Sequence, residues 1–113
     1  MVTATDLLAL ANELSVRTDE AALRCAASRA YYAAFVHCRT EAARALGFVP
    51  TGLARDHRLL REALAEVRPD TAEFLENLRK ERNRADYDVG GRFLRVSAVD
   101  ACDVADTIMR AFP

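Results

Sequence analysis

The chain has 113 residues, 51% of them apolar and 29% charged, with a formal net charge of -1. That length suits one small domain with a single core and excludes two, and the balance is that of a folded globular chain, not a disordered tail. Near-neutral charge also excludes a surface that attracts polyanions everywhere, so any contact with nucleic acid has to come from a local patch.

The opening "MVTATDLLALANEL" has no basic leader region and meets an acid at Asp6. No apolar run approaches the roughly 20 residues of a membrane span. Neither a leader nor a membrane partner is expected, and the reading is a cytoplasmic protein. Apolar residues recur every three to four positions almost throughout, and strict alternation never lasts, which predicts an all-α chain, residues 1–113 forming one domain. The first helix is expected from about Thr5 to Leu14, with Leu7, Leu8, Ala11 and Leu14 on one face.

Thr18 is the expected N-cap of a second, long helix, with Asp19 and Glu20 facing its positive end. This helix runs through "AALRCAASRAYYAAFVHCRTEAARAL" to a stop at Gly47. Between Ala30 and Val36 it is apolar all round, so it has to be covered by its own bundle or by a second subunit. "GFVPTG" reads as a loop, and a third helix follows from about Leu53 to Val67, closed by Pro69. Asp70 or Thr71 is the expected cap of a fourth helix, "AEFLENLRKERNRA", with an apolar seam through Phe74, Leu75 and Leu78. The glycines at 90 and 91 are expected to end it. "SAVDACDVADTIMRAF" predicts a fifth helix with Ser97 and Asp100 as a capping box.

Cys25, Cys38 and Cys102 lack a CxxC pair and fall inside helical segments, which predicts buried, reduced thiols and no metal site. His37 is expected to be a satisfied, packed histidine, and His57 to point to solvent or to the preceding loop. No nucleophile pattern and no phosphate-binding glycine loop accompanies either, and no cofactor is implied.

The densest charge lies in "RKERNRADYDVGG", residues 79–91, where Arg79, Lys80, Arg82 and Arg84 stand against Glu81. A cationic helix end complements the negative pole of the helix dipole, and that reading remains open. Counted by helical steps, however, the seam passes through Arg82 on its way to Ala85. An arginine on a packed seam needs an acceptor or a lined cavity. Arg79, Arg82, Asn83 and Arg84 are therefore the candidate phosphate-binding residues, since a guanidinium fork matches two phosphate oxygens. Arg29, inside the apolar "SRAYYAAF", likewise calls for an acid, with Asp86 or Asp88 expected as structural ion-pair partners.

A long helix with "RAYYAAF" followed by one ending "RNRADYD" resembles the HEPN domain family over about residues 20 to 112. The resemblance implies an up-and-down bundle of four helices with a short additional helix, and a homodimer packed on the long helices. Many members are metal-independent ribonucleases whose motif combines an arginine, a polar residue and a histidine. Arg82 and Asn83 match the first two positions, and Tyr87 stands at the histidine position, which makes these three the candidate catalytic residues. A free phenol ionises near pH 10, so Tyr87 is poorly suited to act as a base. What the resemblance implies is thus an RNA- or nucleotide-binding module, with a nucleotidyltransferase as a possible partner protein in a toxin-antitoxin or defence setting. The alternative it implies is an endoribonuclease toxin with Tyr87 in the histidine's place.

Overall fold

The computed structural model describes residues 1–112. Among these the chain is all-helical, with five helices and no strand: α1 Ala4–Ser15, α2 Glu20–Ala45, α3 Asp56–Val67, α4 Pro69–Tyr87 and α5 Arg95–Ala111. None of them is long and apolar enough to cross a membrane. The fifth helix is no short appendage: it has 17 residues, against 12 in α1 and 12 in α3.

Among the described residues α1 alone has a side-chain N-cap. Thr3 caps α1 with a reciprocal pair: its Oγ1 accepts from the Asp6 N–H at 3.1 Å, and the Asp6 carboxylate accepts from the Thr3 N–H at 2.9 Å. Asp19, not Thr18, is the N-cap of α2. Its carbonyl takes the N–H groups of Ala22 and Leu23, while its carboxylate pairs with Arg17 at 3.0 Å. At the far end Gly47 adopts φ +70°, a left-handed conformation open to glycine, and the Phe48 N–H returns to the Ala42 carbonyl at 3.2 Å.

α3 starts at Asp56, three residues later than expected, because the Asp56 carboxylate accepts from the N–H groups of Thr51 and Gly52 and so holds the loop ahead of it. Pro69 is the first residue of α4 and not merely the end of α3. It has no N–H to leave orphaned, and the cap expected at Asp70 or Thr71 is unnecessary. The capping box expected at Ser97 and Asp100 is not formed, since α5 begins at Arg95 and Ser97 already lies inside it. Gly90 and Gly91 do not end α4 in a left-handed turn, as it closes at Tyr87.

α2 is the hub and packs against all four other helices. Ala26, Ala27, Ala30, Ala33 and Ala34 are each fully buried along it, and such small side chains let neighbouring helices approach closely. Tyr31, Leu60, Leu64, Leu75 and Ile108 fill the space between, each fully buried aliphatic contributing on the order of 1.5–3 kcal/mol. Its own chain thus buries the all-apolar stretch of α2 except at Tyr32 and Val36, which are half-buried. Phe74, expected on the α4 seam, is instead exposed. Cys38 and Cys102 are buried, which pushes their thiols up to about 12 and about 11, whereas Cys25 is exposed, against expectation.

Candidate functional site

The seam problem posed by Arg82 has a structural answer. Where a leucine on α4 would pack on α2, Arg82 meets the Tyr32 ring, with its guanidinium carbon 5.3 Å from the ring centre and Nη2 donating to the Tyr32 hydroxyl at 3.0 Å. Nη1 donates to the Asn83 side-chain oxygen at 3.1 Å. Nε lies 2.9 Å from the Asp86 carboxylate one turn on, an ion pair that is not aligned as a hydrogen bond. The space left at this crossing is a cleft of about 350 Å³, to which α4 contributes Arg79, Arg82, Asn83 and Tyr87.

α2 and α3 close the cleft with Tyr31, Tyr32 and His57. His57 does not point to solvent. Its ring stacks on Phe35 at 4.1 Å and on Tyr31 at 5.6 Å, and Nδ1 is hydrogen-bonded to the Tyr31 hydroxyl. Burial raises the Tyr31 phenol well above its usual range, so it stays protonated. Among the described residues that hydroxyl has no acceptor besides Nδ1. Tyr31 O–H therefore donates, and the imidazole carries its proton on Nε2. Desolvation first, then the positive charges of Arg82, Arg61 and Arg79, hold His57 below the usual histidine range, against a smaller opposite push from Asp56.

Arg79 and Arg61 share Glu76, Arg79 Nη2 lying 2.6 Å from it. The hydrogen bond from Arg79, more than the charges around it, keeps the Glu76 carboxyl below its usual range. Tyr87, the last residue of α4, is 70% exposed at the rim, with the Arg82 guanidinium 5.3 Å from its ring centre. The Arg29 guanidinium also lies against the Tyr32 ring, 5.0 Å from its centre. The cleft thus combines guanidinium and amide donors with aromatic faces, a set suited to a phosphate carrying a base.

The expected roles of Arg84, Arg29, Asp86 and Asp88 change. Arg84 does not join the cleft: it pairs with Glu81, donates to Ser97 Oγ at 3.1 Å and lies over Phe93 at 4.6 Å. Among the described residues no ion pair joins Arg29 to Asp86 or Asp88. Arg29 donates to Ser28 Oγ at 3.3 Å, and Ser28 in turn donates to Asp86 at 3.2 Å, so Asp86 holds Arg82 directly and Arg29 only through a hydroxyl.

The arginine that locks α2 to the end of α4 is Arg24. Its Nη1 donates to the carbonyls of Ala85 and Asp88, both at 2.9 Å, and more weakly to Arg84 at 3.3 Å, while Nη2 donates to Gly91 at 2.7 Å. Arg24 sits in the same apolar helix as Arg29, and the argument that singled out one applies equally to the other. A second cleft of about 350 Å³ lies near Arg17, Arg92 and Arg95, but Arg95 donates to the carbonyls of Val16 and Arg17 and Arg17 pairs with Asp19, a set of bonds that closes a loop. Among the described residues no cluster could hold a metal ion. Comparison of the chain with protein-family models, with curated proteins and with solved structures gave no match.

Proposed function

We propose that this chain is an RNA- or nucleotide-binding module of the HEPN kind, an up-and-down helical bundle acting as a homodimer, whose ligand phosphate sits against Arg82 and Asn83. The single observation that carries the reading is the cleft where Arg82, Asn83, Arg79, Tyr32, His57 and Tyr87 meet. Arginine has five N–H groups; Arg82 uses one for Asn83 and one for Tyr32, its buried Nε faces Asp86, and two remain for a ligand. With its oxygen turned to Arg82, Asn83 has its amide N–H groups left for a ligand. Tyr87 offers an exposed face for a base.

Binding is favoured over strand cleavage. A base is needed to take the proton of the attacking 2′-hydroxyl. Tyr31 occupies the lone pair of neutral His57, and Tyr87 is a phenol. The cleft offers donors and charge, the requirements of holding a phosphate.

Fluorescence anisotropy with a labelled single-stranded RNA is the direct test. Binding is expected to be salt-sensitive, weakening between about 50 mM and about 200 mM salt. Arg82→Gln is expected to weaken it roughly tenfold with helical circular dichroism retained. Because that change leaves Asp86 without its cation, Asn83→Ala serves beside it. Absence of binding by the wild-type protein at low salt sinks the reading. In EDTA the RNA is expected to remain intact, and fragments ending in 2′,3′-cyclic phosphate would establish the ribonuclease alternative.

A further inference from the structure

The cleft at Arg82 does not stop at His57. A neighbouring cleft, of about 260 Å³, is also lined by Tyr32, Ala54 and His57, so these three residues belong to both. Beyond them it continues past Phe35 to Arg39. Tyr32, Phe35 and Arg39 fall at steps of three and four along α2 and so share one face of that helix. Arg39 is seven residues beyond Tyr32, and its guanidinium reaches back over Phe35, about one turn past Tyr32.

Arg39 differs from the other arginines around this groove. Arg82, Arg79 and Arg61 each have a carboxylate partner, and Arg29 has a hydroxyl. Among the described residues Arg39 makes no hydrogen bond or ion pair, and its guanidinium lies over the Phe35 ring at 5.3 Å. The nearby acid, Asp56, is buried and accepts from the Thr51 N–H at 3.0 Å, the Thr51 hydroxyl at 2.6 Å and the Gly52 N–H at 2.9 Å. Its oxygens are thus engaged with the loop, leaving the Arg39 donors open.

We infer that the groove takes a single-stranded nucleic acid segment with at least two backbone phosphates, one at Arg82 and Asn83 and the next at Arg39, laid across the Tyr32 and His57 rings. The inference rests on the proposed phosphate site and names its substrate class: an oligonucleotide, not a mononucleotide. Arg82 and Arg39 line different clefts, which share Tyr32, Ala54 and His57, so one phosphate group is not placed against both. The surface between them is aromatic, and base stacking on such a surface tolerates any sequence. The groove therefore selects for strand length, with little preference among bases.

Three probes separate the cases: adenosine 5′-monophosphate, the dinucleotide pApA with its two phosphates, and a labelled ten-nucleotide oligoadenylate. Wild-type protein is expected to bind pApA and the oligonucleotide at least roughly tenfold more tightly than the mononucleotide. Arg39→Gln is expected to remove that advantage, lower the salt dependence of oligonucleotide binding by about one counterion, and leave mononucleotide binding unchanged. Arg39→Lys keeps the charge and is expected to restore most of the advantage. If Arg39→Gln binds the dinucleotide and oligonucleotide as wild type does, or if wild type binds all three probes alike, the two-phosphate groove is wrong while the Arg82 site stands. If none of the probes binds, the Arg82 site fails and the groove with it.

Discussion

His57 sits uncharged beside Arg82, Arg79 and Arg61, and that arrangement ties both folding and binding to pH. A histidine whose pKa is lower folded than unfolded is bound by fewer protons in the native state. Stability therefore rises with pH across the window between the two values and is lost as pH falls below about 6.5 toward the folded value. The slope contributed by one such group is at most about 1.4 kcal/mol per pH unit. Glu76, Asp6 and Asp56 are all shifted downward too, and their losses come at lower pH, in the carboxylate range. Urea denaturation between pH 5 and 7, about the histidine range, isolates His57. In His57→Gln, whose amide oxygen can still accept from Tyr31, the stability loss over that window is expected to shrink relative to wild type; an unchanged curve would place the imidazole in a water-like setting. An anionic ligand pushes the other way, favouring imidazolium, so phosphate affinity is expected to increase as pH is lowered from about 7.5 to about 6. That increase should vanish in the same variant.

At the scale of elements, the segment that carries Tyr87 is held by a side chain on another helix. Arg24 gathers four backbone carbonyls from residues 84 to 91, among them that of Ala85 in the last turn of α4, which the helix end leaves without an intrahelical partner. Arg24→Met keeps an apolar stem beside Phe93 and removes the donors. It is expected to cost roughly 2 kcal/mol of unfolding free energy, and to raise amide hydrogen exchange at the end of α4 and in the turn after it more than in α1. Uniform exchange changes across all helices would show that the clamp is not local. The sequence made the helices legible because spacing of apolar residues reports which side of a helix is covered. It also made Arg82 legible, since a cation in an apolar seam is a local contradiction. It did not reveal His57 or Arg39: each becomes part of a site only when α2, α3 and α4 cross, and no local pattern encodes that crossing. Phe74 failed for a related reason, because helical periodicity marks an apolar face without saying how wide the neighbour that covers it is.

For the molecule as a whole, the sequence argument for a second subunit began with a helix apolar on every side. α1, α3, α4 and α5 all pack on α2, and from Ala30 to Val36 only Tyr32, which lines the ligand cleft, and Val36 are left partly open. The apolar stretch is thus a packing hub within one chain, and the homodimer rests on the family resemblance. A hub built from alanines makes a sharp demand on volume. Close-packed interiors do not absorb added methylenes without moving side chains or backbone, and overpacking costs typically about 1–3 kcal/mol. Ala30→Leu, at a fully buried position, is expected to fall in that range and to lower the melting temperature by roughly 4 °C or more per kcal/mol in a domain of this size. Cys25→Leu, on the exposed side of the same helix, is expected to stay within about 0.5 kcal/mol of wild type. Calorimetry of the two variants distinguishes a tight hub from a loose one. Equal melting temperatures would mean that the helices around α2 can spread to admit a leucine, and the groove at Tyr32, whose width is set by the same crossings, would then have no fixed spacing between its two cationic ends.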